Sequence, residues 1–458
     1  MGIPVWSNEV KRRNIAPMAQ DQRRQIPRGS RALHWVLVGA LSWLAACSTA
    51  VHLSQPPNLY LDGRNYPDAL VPAALKVIDP PIFYVTDRNV LAEGGQVAGY
   101  GTGRSDSMGF GLAHVRFGAT DWSDLVARTH VDRGGHISTL KVEALQELVR
   151  FSDVPLPVVR KQGTLHFSPA AVSAYAGKAA AFQQAVRREI SRTGNRRVLI
   201  YVHGIRNNFE NAVQTLASLW HFSGRRSTPV VFSWPAGNHG VLGYFRDREA
   251  GDFSVYHAKE MLRLIAEIPE VEDIDIVAHS RGTSVMTQAL REMVIFNRGR
   301  GLAPKQAMKT GVLILAAPDL DTGLVRQRLL SERFSEGFEQ VNIYINPDDV
   351  VLKLSSLLTN SSRIGAAQKE DFKPGELKDL RKQGLIHFIR VEGASGSDSH
   401  SYFRNNPAVL SDMVLVLRTR AFPGGSLRPL EADPDTIWRL HHDYPLDRLP
   451  NLALERGR

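Results

Sequence analysis

The sequence of 458 residues lacks several features that define large protein classes. It has a single cysteine, Cys47, and therefore cannot form an intramolecular disulfide. No long apolar run suggests several membrane spans. The formal net charge is +10, but half of that excess (7 basic minus 2 acidic residues) lies in the first 46 residues, and no basic–aromatic stripe occurs. These absences exclude a disulfide-rich scaffold and a polytopic membrane protein, and no nucleic acid partner is expected.

The N-terminal region has the layout of a secretory signal peptide, with a basic stretch followed by an apolar segment over residues 32–46. That segment is shorter than the roughly 20 residues that a membrane-spanning helix needs. It ends in LAAC, which includes Cys47 and resembles the bacterial lipobox, where the chain is cut before a cysteine that carries lipid. We expect Cys47 to be lipidated, with palmitate among its acyl chains, and to anchor the protein in the bacterial cell envelope. Ser48 is not an aspartate, which favours the periplasmic side of the outer membrane.

The composition along the chain predicts four parts. They are a leader over 1–46 that starts at Met1 or Met18, a lipidated and proline-rich tether over 47–80, a folded domain over 81–420 with its core from about residue 197, and a C-terminal extension over 421–458.

Apolar strands alternate with amphipathic helices from Arg197 onward. The predicted strands are VLIYVHG, PVVFSWP, DIDIVAHS, GVLILAAPD, QVNIYINPDD and LIHFIRVEG, and the predicted helices span residues 209–220, 253–268 and 283–296. This alternation predicts an α/β fold, with a doubly wound, mostly parallel sheet and helices on both faces. Active groups in such sheets gather at the C-terminal ends of the strands. Before the core, the sequence predicts a strand at IFYVT, glycine-rich turns over 94–103 and a helix over 139–151.

Ser280 lies in the stretch IDIVAHSRGTSVM, between a strand pattern and a helix pattern. A serine hydroxyl becomes a useful nucleophile only when a base takes its proton and the backbone exposes it. A sharp strand–serine–helix turn exposes it, and the turn demands small neighbours, here Ala278 and Gly282. The pattern predicts that Ser280 is a nucleophile; the alternative is a serine that only caps the helix.

The stretch HGIRNN follows an earlier strand and begins at His203. Gly204 allows the backbone to approach a ligand closely. We expect the backbone N–H groups of Ile205 and Arg281 to form an oxyanion hole, a pair of donors that stabilises the negative oxygen of an acyl-transfer intermediate. His203 precedes the nucleophile strand and is expected to make structural hydrogen bonds.

An acid and a base should follow the serine in chain order. His400 lies in the loop SGSDSHSYF after the sixth strand, where a catalytic histidine can be presented. Asp349, in NPDDV after the fifth strand, is our choice for the acid that orients it, and Asp348 and Asp319 are the alternatives.

Taken in order, these segments resemble the α/β-hydrolase superfamily, and within it the bacterial branch catalogued as domain of unknown function nine hundred. The segments that carry the resemblance are FYVTDRN, VLIYVHGIRNNFENA, VVFSWPAG with GYFRDRE, AHSRGTSV, LAAPDLD, IYINPDDVVLKLS and HSYFRNNP. The resemblance implies an esterase- or lipase-like enzyme of the α/β-hydrolase fold, with Ser280 as nucleophile, His400 as base and Asp349 as acid. It implies no cofactor and no agreed substrate.

The residue after the serine departs from the family pattern, which commonly has methionine there. Arg281 places a cation beside the nucleophile. We expect it either to favour acidic substrates or to pair with a carboxylate such as Asp319 or Asp321.

The predicted function is that of a membrane-anchored serine hydrolase that cleaves a small ester or a lipid through an acyl-enzyme. Two alternatives remain open. One is a non-catalytic envelope lipoprotein that uses the fold for binding; the other is a lipase or thioesterase with a lipid-derived substrate, for which residues 352–375 would supply an apolar lid. No metal is expected, and the sequence names no protein partner.

Overall fold

The computed structural model describes residues 53–61, 66–131, 140–434 and 437–450. The predicted leader over 1–46, its two candidate starts and Cys47 lie outside the described residues. None of the helices in the described ranges is both long and apolar enough to cross a membrane.

The described chain folds into strands and helices that alternate through its central part. The strands are β1 Pro81–Glu93, β2 Gln96–Phe117, β3 Leu140–Arg150, β4 Val158–Lys161, β5 Thr164–Phe167, β6 Arg197–Val202, β7 Thr228–Ser233, β8 Asp273–His279, β9 Thr310–Ala316, β10 Gln340–Ile345, β11 Ile386–Val391, β12 Glu431–Ala432 and β13 Trp438–Leu440. The α-helices are α1 Asn58–Leu61, α2 Trp122–Thr129, α3 Pro169–Thr193, α4 Phe209–Phe222, α5 Gly240–Ala266, α6 Gly282–Gly299, α7 Pro304–Met308, α8 Thr322–Leu324, α9 Val350–Thr359, α10 Glu376–Gln383, α11 Tyr402–Asn405 and α12 Pro407–Thr419.

Eleven of these strands form one sheet, in the order β12-β13-β11-β10-β9-β8-β6-β7-β1-β2-β3. Strands β6 to β11 run parallel, as do β1 against β7 and β13 against β11. The antiparallel pairs stand at the two edges. The central strands are continuous apolar runs because both of their faces are covered. The predicted doubly wound, mostly parallel sheet is therefore confirmed.

Helices cover the two faces of the sheet and bury two separate cores. On one face, Phe182 of α3, Leu262 of α5 and Met286 of α6 pack against the sheet. On the other, Trp220 of α4 and Met413 of α12 do so. The mostly apolar central strands thus lie between two helical layers, and only the strand ends are available for polar chemistry.

The helix predicted over residues 139–151 is wrong, because β3 occupies this segment and pairs antiparallel with β2. Irregularities in that pairing leave Glu143 and Leu148 without partners in β2. Each extra residue shifts the phase of the alternating pattern, so apolar side chains fall at Leu140, Val142 and Leu145 and imitate helical spacing. The predicted turns over 94–103 are also shorter than expected: only Gly94 and Gly95 turn, and β2 continues through the later glycines.

Residues on both sides of the predicted domain pack onto it. In the segment predicted as a tether, the buried Tyr60 and Tyr66 lie against α4, and Arg225 donates to the carbonyls of Leu75 and Val77 at 2.7 Å each. In the predicted C-terminal extension, β13 joins the sheet next to β11. Arg428 is fully buried in an ion pair with Asp412, at 2.7 Å.

Candidate active site

Ser280 occupies a strained turn between β8 and α6. Its φ angle is +52°, in the left-handed region that non-glycine residues seldom adopt. Such a conformation costs about 1–3 kcal/mol and persists only where the surroundings enforce it. Here the Ser280 N–H donates to the carbonyl of Ala316 at 3.0 Å, and the Asp319 N–H donates to the carbonyl of Ser280 at 3.3 Å. The turn is thus held from the end of β9.

Two glycines allow the chain to close around this turn. A Cβ atom on Gly282 would lie 2.3 Å from the carbonyl oxygen of His203, so only glycine lets α6 start against the end of β6. A Cβ atom on Gly204 would lie 2.7 Å from Cβ and 3.2 Å from Oγ of Ser280. The loop after β6 therefore passes directly beside the serine hydroxyl, and its glycine leaves the space there open.

His400 reaches Ser280 from the loop that follows β11. Its Nε2 atom lies 2.9 Å from Ser280 Oγ. A short 3-10 turn, Gly396–Ser399, brings the histidine to this position, with the Ser399 side chain accepting from the Val350 N–H at 3.3 Å. The structure therefore brings together the predicted nucleophile and the predicted base, which are 120 residues apart in the chain.

Asp349 completes the arrangement behind His400. Its Oδ2 atom accepts from His400 Nδ1 at 2.7 Å. Its Oδ1 atom accepts from the N–H groups of Val351 and Leu352 at 3.0 and 2.9 Å, so the carboxylate also caps α9. A fully buried carboxylate at a helix N-terminus is stabilised as an anion by these donors and by the helix dipole.

The two alternative acids lie elsewhere. The side chain of Asp348 is 78% exposed and pairs with Lys353 at 3.2 Å. Asp319 is buried but pairs with Arg363 at 3.2 Å and accepts from the Ser355 hydroxyl at 2.7 Å. Of the three candidates, Asp349 is the one in contact with His400.

One predicted oxyanion donor, Ile205, follows Gly204 in the loop after β6, and the other, Arg281, follows Ser280 directly. Within the described chain, neither the Ile205 N–H nor the Arg281 N–H donates a hydrogen bond, so both remain available to a ligand. The next N–H along, that of Arg206, is engaged by the buried Asp247 at 2.8 Å. This contact holds the loop beside the serine and leaves the Ile205 N–H without a partner in the described chain.

Arg88 is a second clamp on this loop, and sequence reasoning gave it no role. It is fully buried and donates to the carbonyls of Asn207 and Ala236, at 2.8 and 2.7 Å. Burial lowers the pKa of Arg88 to about 10, so it stays protonated at neutral pH. Arg88 and Asp247 both lie in segments that carried the family resemblance, FYVTDRN and GYFRDRE, and that was their only signal in the sequence.

His203 is structural in the way the sequence predicts. Its ring is buried, lies parallel to Trp234 with centroids 5.1 Å apart, and places Nδ1 2.8 Å from the carbonyl of Gly204. Burial, together with the charge of Arg88, lowers the pKa of His203 to about 3. The imidazole is therefore neutral and has no contact with Ser280.

His279 is a functional neighbour that the sequence reasoning missed. Its Nε2 atom lies 3.2 Å from the backbone carbonyl of His400, and its ring lies against Phe403 at 4.3 Å between centroids. No spacing rule singles out the residue before a nucleophile as a support for the base. Only the folded structure places the end of β8 under the loop of His400.

The side chain of Arg281 pairs with Asp252 of α5, at 3.1 Å. The expected pairing with a carboxylate is therefore confirmed, but the two examples named for it, Asp319 and Asp321, are wrong. Asp319 is taken by Arg363, and Asp321 caps α8 by accepting from the Leu324 N–H at 2.7 Å.

A cleft of about 490 Å³ opens next to Arg281. We call it the arginine cleft, because five arginines line it: Arg248, Arg281, Arg291, Arg328 and Arg363. Ser284, one turn along α6 from Ser280, and Asp319 also line it, so the cleft borders the serine turn. In the described part of the chain, no group of three or more His, Cys, Asp and Glu side chains is placed to hold a metal ion.

Comparisons with known proteins agree with this architecture. The family described as "Alpha/beta hydrolase of unknown function (DUF900)" matches residues 178–420, more than half of the chain. No curated protein matches the sequence.

Solved structures of an esterase from Pyrobaculum calidifontis are similar to this chain. One, in a monoclinic form, is 12% identical with a TM-score of 0.29, over 49% of this chain and 77% of that chain. Another, described as a hyperthermophilic esterase from the same archaeon, is 12% identical with a TM-score of 0.28, over 49% and 75%. At TM-scores this low, the likeness adds nothing to the family match. The extent of that match and the doubly wound sheet establish that the chain belongs to the α/β-hydrolase family of unknown function and has the α/β-hydrolase fold.

Proposed function

We propose that the protein is a serine hydrolase that cleaves carboxylic esters through an acyl-enzyme on Ser280. The observation that carries the proposal is the continuous contact from Ser280 Oγ to His400 Nε2, at 2.9 Å, and from His400 Nδ1 to Asp349 Oδ2, at 2.7 Å. These are the contacts that a serine nucleophile, its general base and the orienting acid require. The strained turn that presents Ser280 supports the same reading.

Acylation would begin when the ester carbonyl lies against Ser280. Because Asp349 accepts the Nδ1–H of His400, the lone pair on Nε2 faces the serine hydroxyl and takes its proton. The bond from Oγ to the carbonyl carbon forms, and the carbonyl oxygen becomes negative next to the N–H groups of Ile205 and Arg281. The alkoxy bond then breaks, and the Nε2 proton goes to the departing alcohol.

Deacylation would repeat these steps with water. His400 removes a proton from a water molecule, whose oxygen attacks the acyl carbon, and Nε2 returns the proton to Ser280 Oγ as the carboxylic acid leaves. The anionic Asp349, held by its cap on α9, stabilises the imidazolium in both halves of the reaction.

The test is hydrolysis of p-nitrophenyl acetate by the full-length protein, beside Ser280→Ala and His400→Ala, with folding checked by circular dichroism. We expect both folded variants to lose at least about 10³-fold in kcat, as members of such a set do. Unchanged activity in Ser280→Ala would refute the nucleophile. If the wild type neither hydrolyses the ester nor reacts with a fluorophosphonate, the non-catalytic binding protein becomes the better explanation.

We further propose that lipid on Cys47 anchors the enzyme in the cell envelope, with the outer membrane favoured. The support is the sequence LAAC followed by Ser48. Incorporation of labelled palmitate in a bacterial host tests this, with Cys47→Ser as the control. Label retained in Cys47→Ser, or a wild-type protein found only in the soluble fraction, would overturn the anchor.

A lipid-derived substrate is a second candidate, because α9 turns an apolar face outward. Val350, Leu357 and Leu358 are 50%, 76% and 37% exposed, while the inward Ser355 bonds Asp319. The N-cap residue of this helix, Asp349, contacts His400, so α9 starts next to the site. A higher kcat/KM for p-nitrophenyl palmitate than for the acetate, reduced in Leu357→Ser, would favour this candidate; the opposite preference would exclude it.

A further inference from the structure

In the arginine cleft, the carboxylates have hydrogen-bond partners within the chain, whereas some of the arginine donors do not. Its carboxylates are all engaged by groups of the chain. Asp252 pairs with Arg281, Asp319 pairs with Arg363, and Glu292 pairs with Lys259, at 3.1, 3.2 and 2.7 Å. Asp321 accepts from a backbone N–H. A cationic ligand would therefore have to compete with existing partners of these acids.

One of the arginines, Arg281, carries a donor that is buried and has no acceptor in the described chain. The Nε atom of Arg281 is shielded from solvent and has no hydrogen-bond acceptor among the described residues, whereas Nε of Arg363 lies 3.2 Å from Asp319 Oδ1 in their ion pair. The Arg281 side chain is 8% exposed and is therefore more than nine-tenths buried. A buried donor without a partner costs about 1–3 kcal/mol, which a ligand acceptor would recover.

Arg248 and Arg328 add positive charge to the cleft, and neither side chain has a direct partner in the described chain. Neither side chain makes a hydrogen bond or ion pair with any described residue, whereas Arg291 is bound through two contacts of 2.6 Å to Glu332, a carboxylate on which the charge of Arg328 also acts. The open capacity of the cleft thus consists of donors and positive charge.

We infer that the arginine cleft binds an oxyanion, a carboxylate or a phosphate monoester, carried by the ester that Ser280 cleaves. This inference rests on the proposed serine hydrolase and specifies its substrate class. Arg281 belongs to both places, since its N–H is a proposed oxyanion donor without a partner in the described chain and its side chain lines the cleft. Arginine donors match the two oxygens of such groups geometrically, and binding them in a partly buried cleft is stronger than at the surface.

The experiment measures binding rather than turnover, so it does not depend on activity. Full-length Ser280→Ala is titrated by calorimetry with monomethyl adipate, which carries one carboxylate, and with the neutral dimethyl adipate. We expect the monoanion to bind at least about tenfold more tightly, because only it supplies acceptors for the arginines. Inorganic phosphate is a third titrant; if it binds more tightly than the monoanion, the preferred oxyanion is a phosphate.

Variants locate the binding. Arg248→Gln in the Ser280→Ala background should abolish the preference for the monoanion. Arg246→Gln, on the same helix but outside the cleft, should preserve it. Arg328→Gln is a second cleft variant at an exposed position, should Arg248→Gln fold poorly.

Equal binding of the two adipates, no measurable binding of either anion, or a preference that survives both cleft variants would overturn the inference. These outcomes are independent of the esterase test. If the protein has no esterase activity but binds the monoanion through Arg248, the proposed hydrolase is refuted and the anion subsite is retained. If the protein is an active esterase without this binding, the subsite is refuted and the hydrolase is retained.

Discussion

The side chain of His279 donates a hydrogen bond to the backbone carbonyl of His400, across 3.2 Å. The two imidazole rings lie 4.9 Å apart between centroids. The ring of Phe403 stacks on His279, with 4.3 Å between centroids. Burial, reinforced by the neighbouring His400, holds the pKa of His279 well below its usual range, so the ring stays neutral. His279, the last residue of β8, thus supports the loop that presents His400. The residue after it, Ser280, is the serine that His400 contacts.

Replacing His279 by phenylalanine should slow the reaction without preventing folding. The ring keeps its contact with Phe403 but loses the donor, and the carbonyl of His400 is left without its partner. We expect kcat for p-nitrophenyl acetate to fall about tenfold with KM within about twofold, since a small displacement of a base affects chemistry more than binding. His279→Gln, which keeps an N–H donor, should recover part of the loss. Wild-type kcat in His279→Phe would show that the contact does not position His400.

Asp349→Asn tests the carboxylate with its helix cap preserved. The asparagine oxygen can still accept from the N–H groups of Val351 and Leu352, so the fold should remain. It cannot stabilise an imidazolium, and kcat should fall about 10³- to 10⁴-fold. Asp348→Asn is the matched control, because Asp348 is exposed and pairs only with Lys353; it should change kcat less than about twofold. Comparable losses in the two variants would remove Asp349 from its proposed role.

Much of the fold and of the candidate site could be predicted because each central strand is marked by a pattern within its own short segment of sequence. Each is a mostly apolar segment of six or seven residues that is buried on both faces, and such segments are readable without knowing their neighbours. Ser280, Asp349 and His400 follow three of these strands, and parallel strands bring their C-terminal ends to one edge. Their order in the chain then suffices to place them together.

What could not be predicted depends on pairings that leave little trace in the sequence. Strand β3 was mistaken for a helix because its register depends on irregularities opposite β2. The partner of Arg281 was misassigned because Asp252 lies on α5, which is remote in sequence and adjacent only after packing. Arg88 is a buried cation satisfied mainly by carbonyl groups of loops, and no pattern of residue types announces such a contact.

Gly204→Ala should inactivate the enzyme by filling the space beside the nucleophile. The new methyl group would lie 2.7 Å from Cβ and 3.2 Å from Oγ of Ser280, too close for the loop and the serine to keep their positions. We expect kcat/KM to fall at least about 100-fold, and the free energy of unfolding to fall by about 1–3 kcal/mol. Gly177→Ala is the control, since it lies in α3 with no atom near its added Cβ; it should stabilise the helix by roughly 0.5–1 kcal/mol. Full activity in Gly204→Ala would contradict the observed approach of the loop.

Three buried histidines should make the fold sensitive to mild acid. Burial lowers the pKa of His203 and of His387 to about 3, and that of His279 well below 6.5. Since the unfolded imidazole titrates near 6.5, the unfolded chain binds more protons below that pH, and stability is lost as pH falls from about 6.5 towards about 3.

At pH 5, each histidine that stays neutral in the folded state should cost about 2 kcal/mol relative to pH 7.5, or about 4 kcal/mol for His203 and His387 together. His387→Phe isolates one of them, because the Nε2 atom of His387 is buried without a hydrogen-bond partner among the described residues and phenylalanine fills a similar volume. Urea unfolding at pH 7.5 should give this variant a free energy of unfolding equal to or above that of the wild type. At pH 5 it should lose about 2 kcal/mol less than the wild type does. Parallel losses in the two proteins would mean that His387 is protonated in the folded state and that its burial does not control its charge.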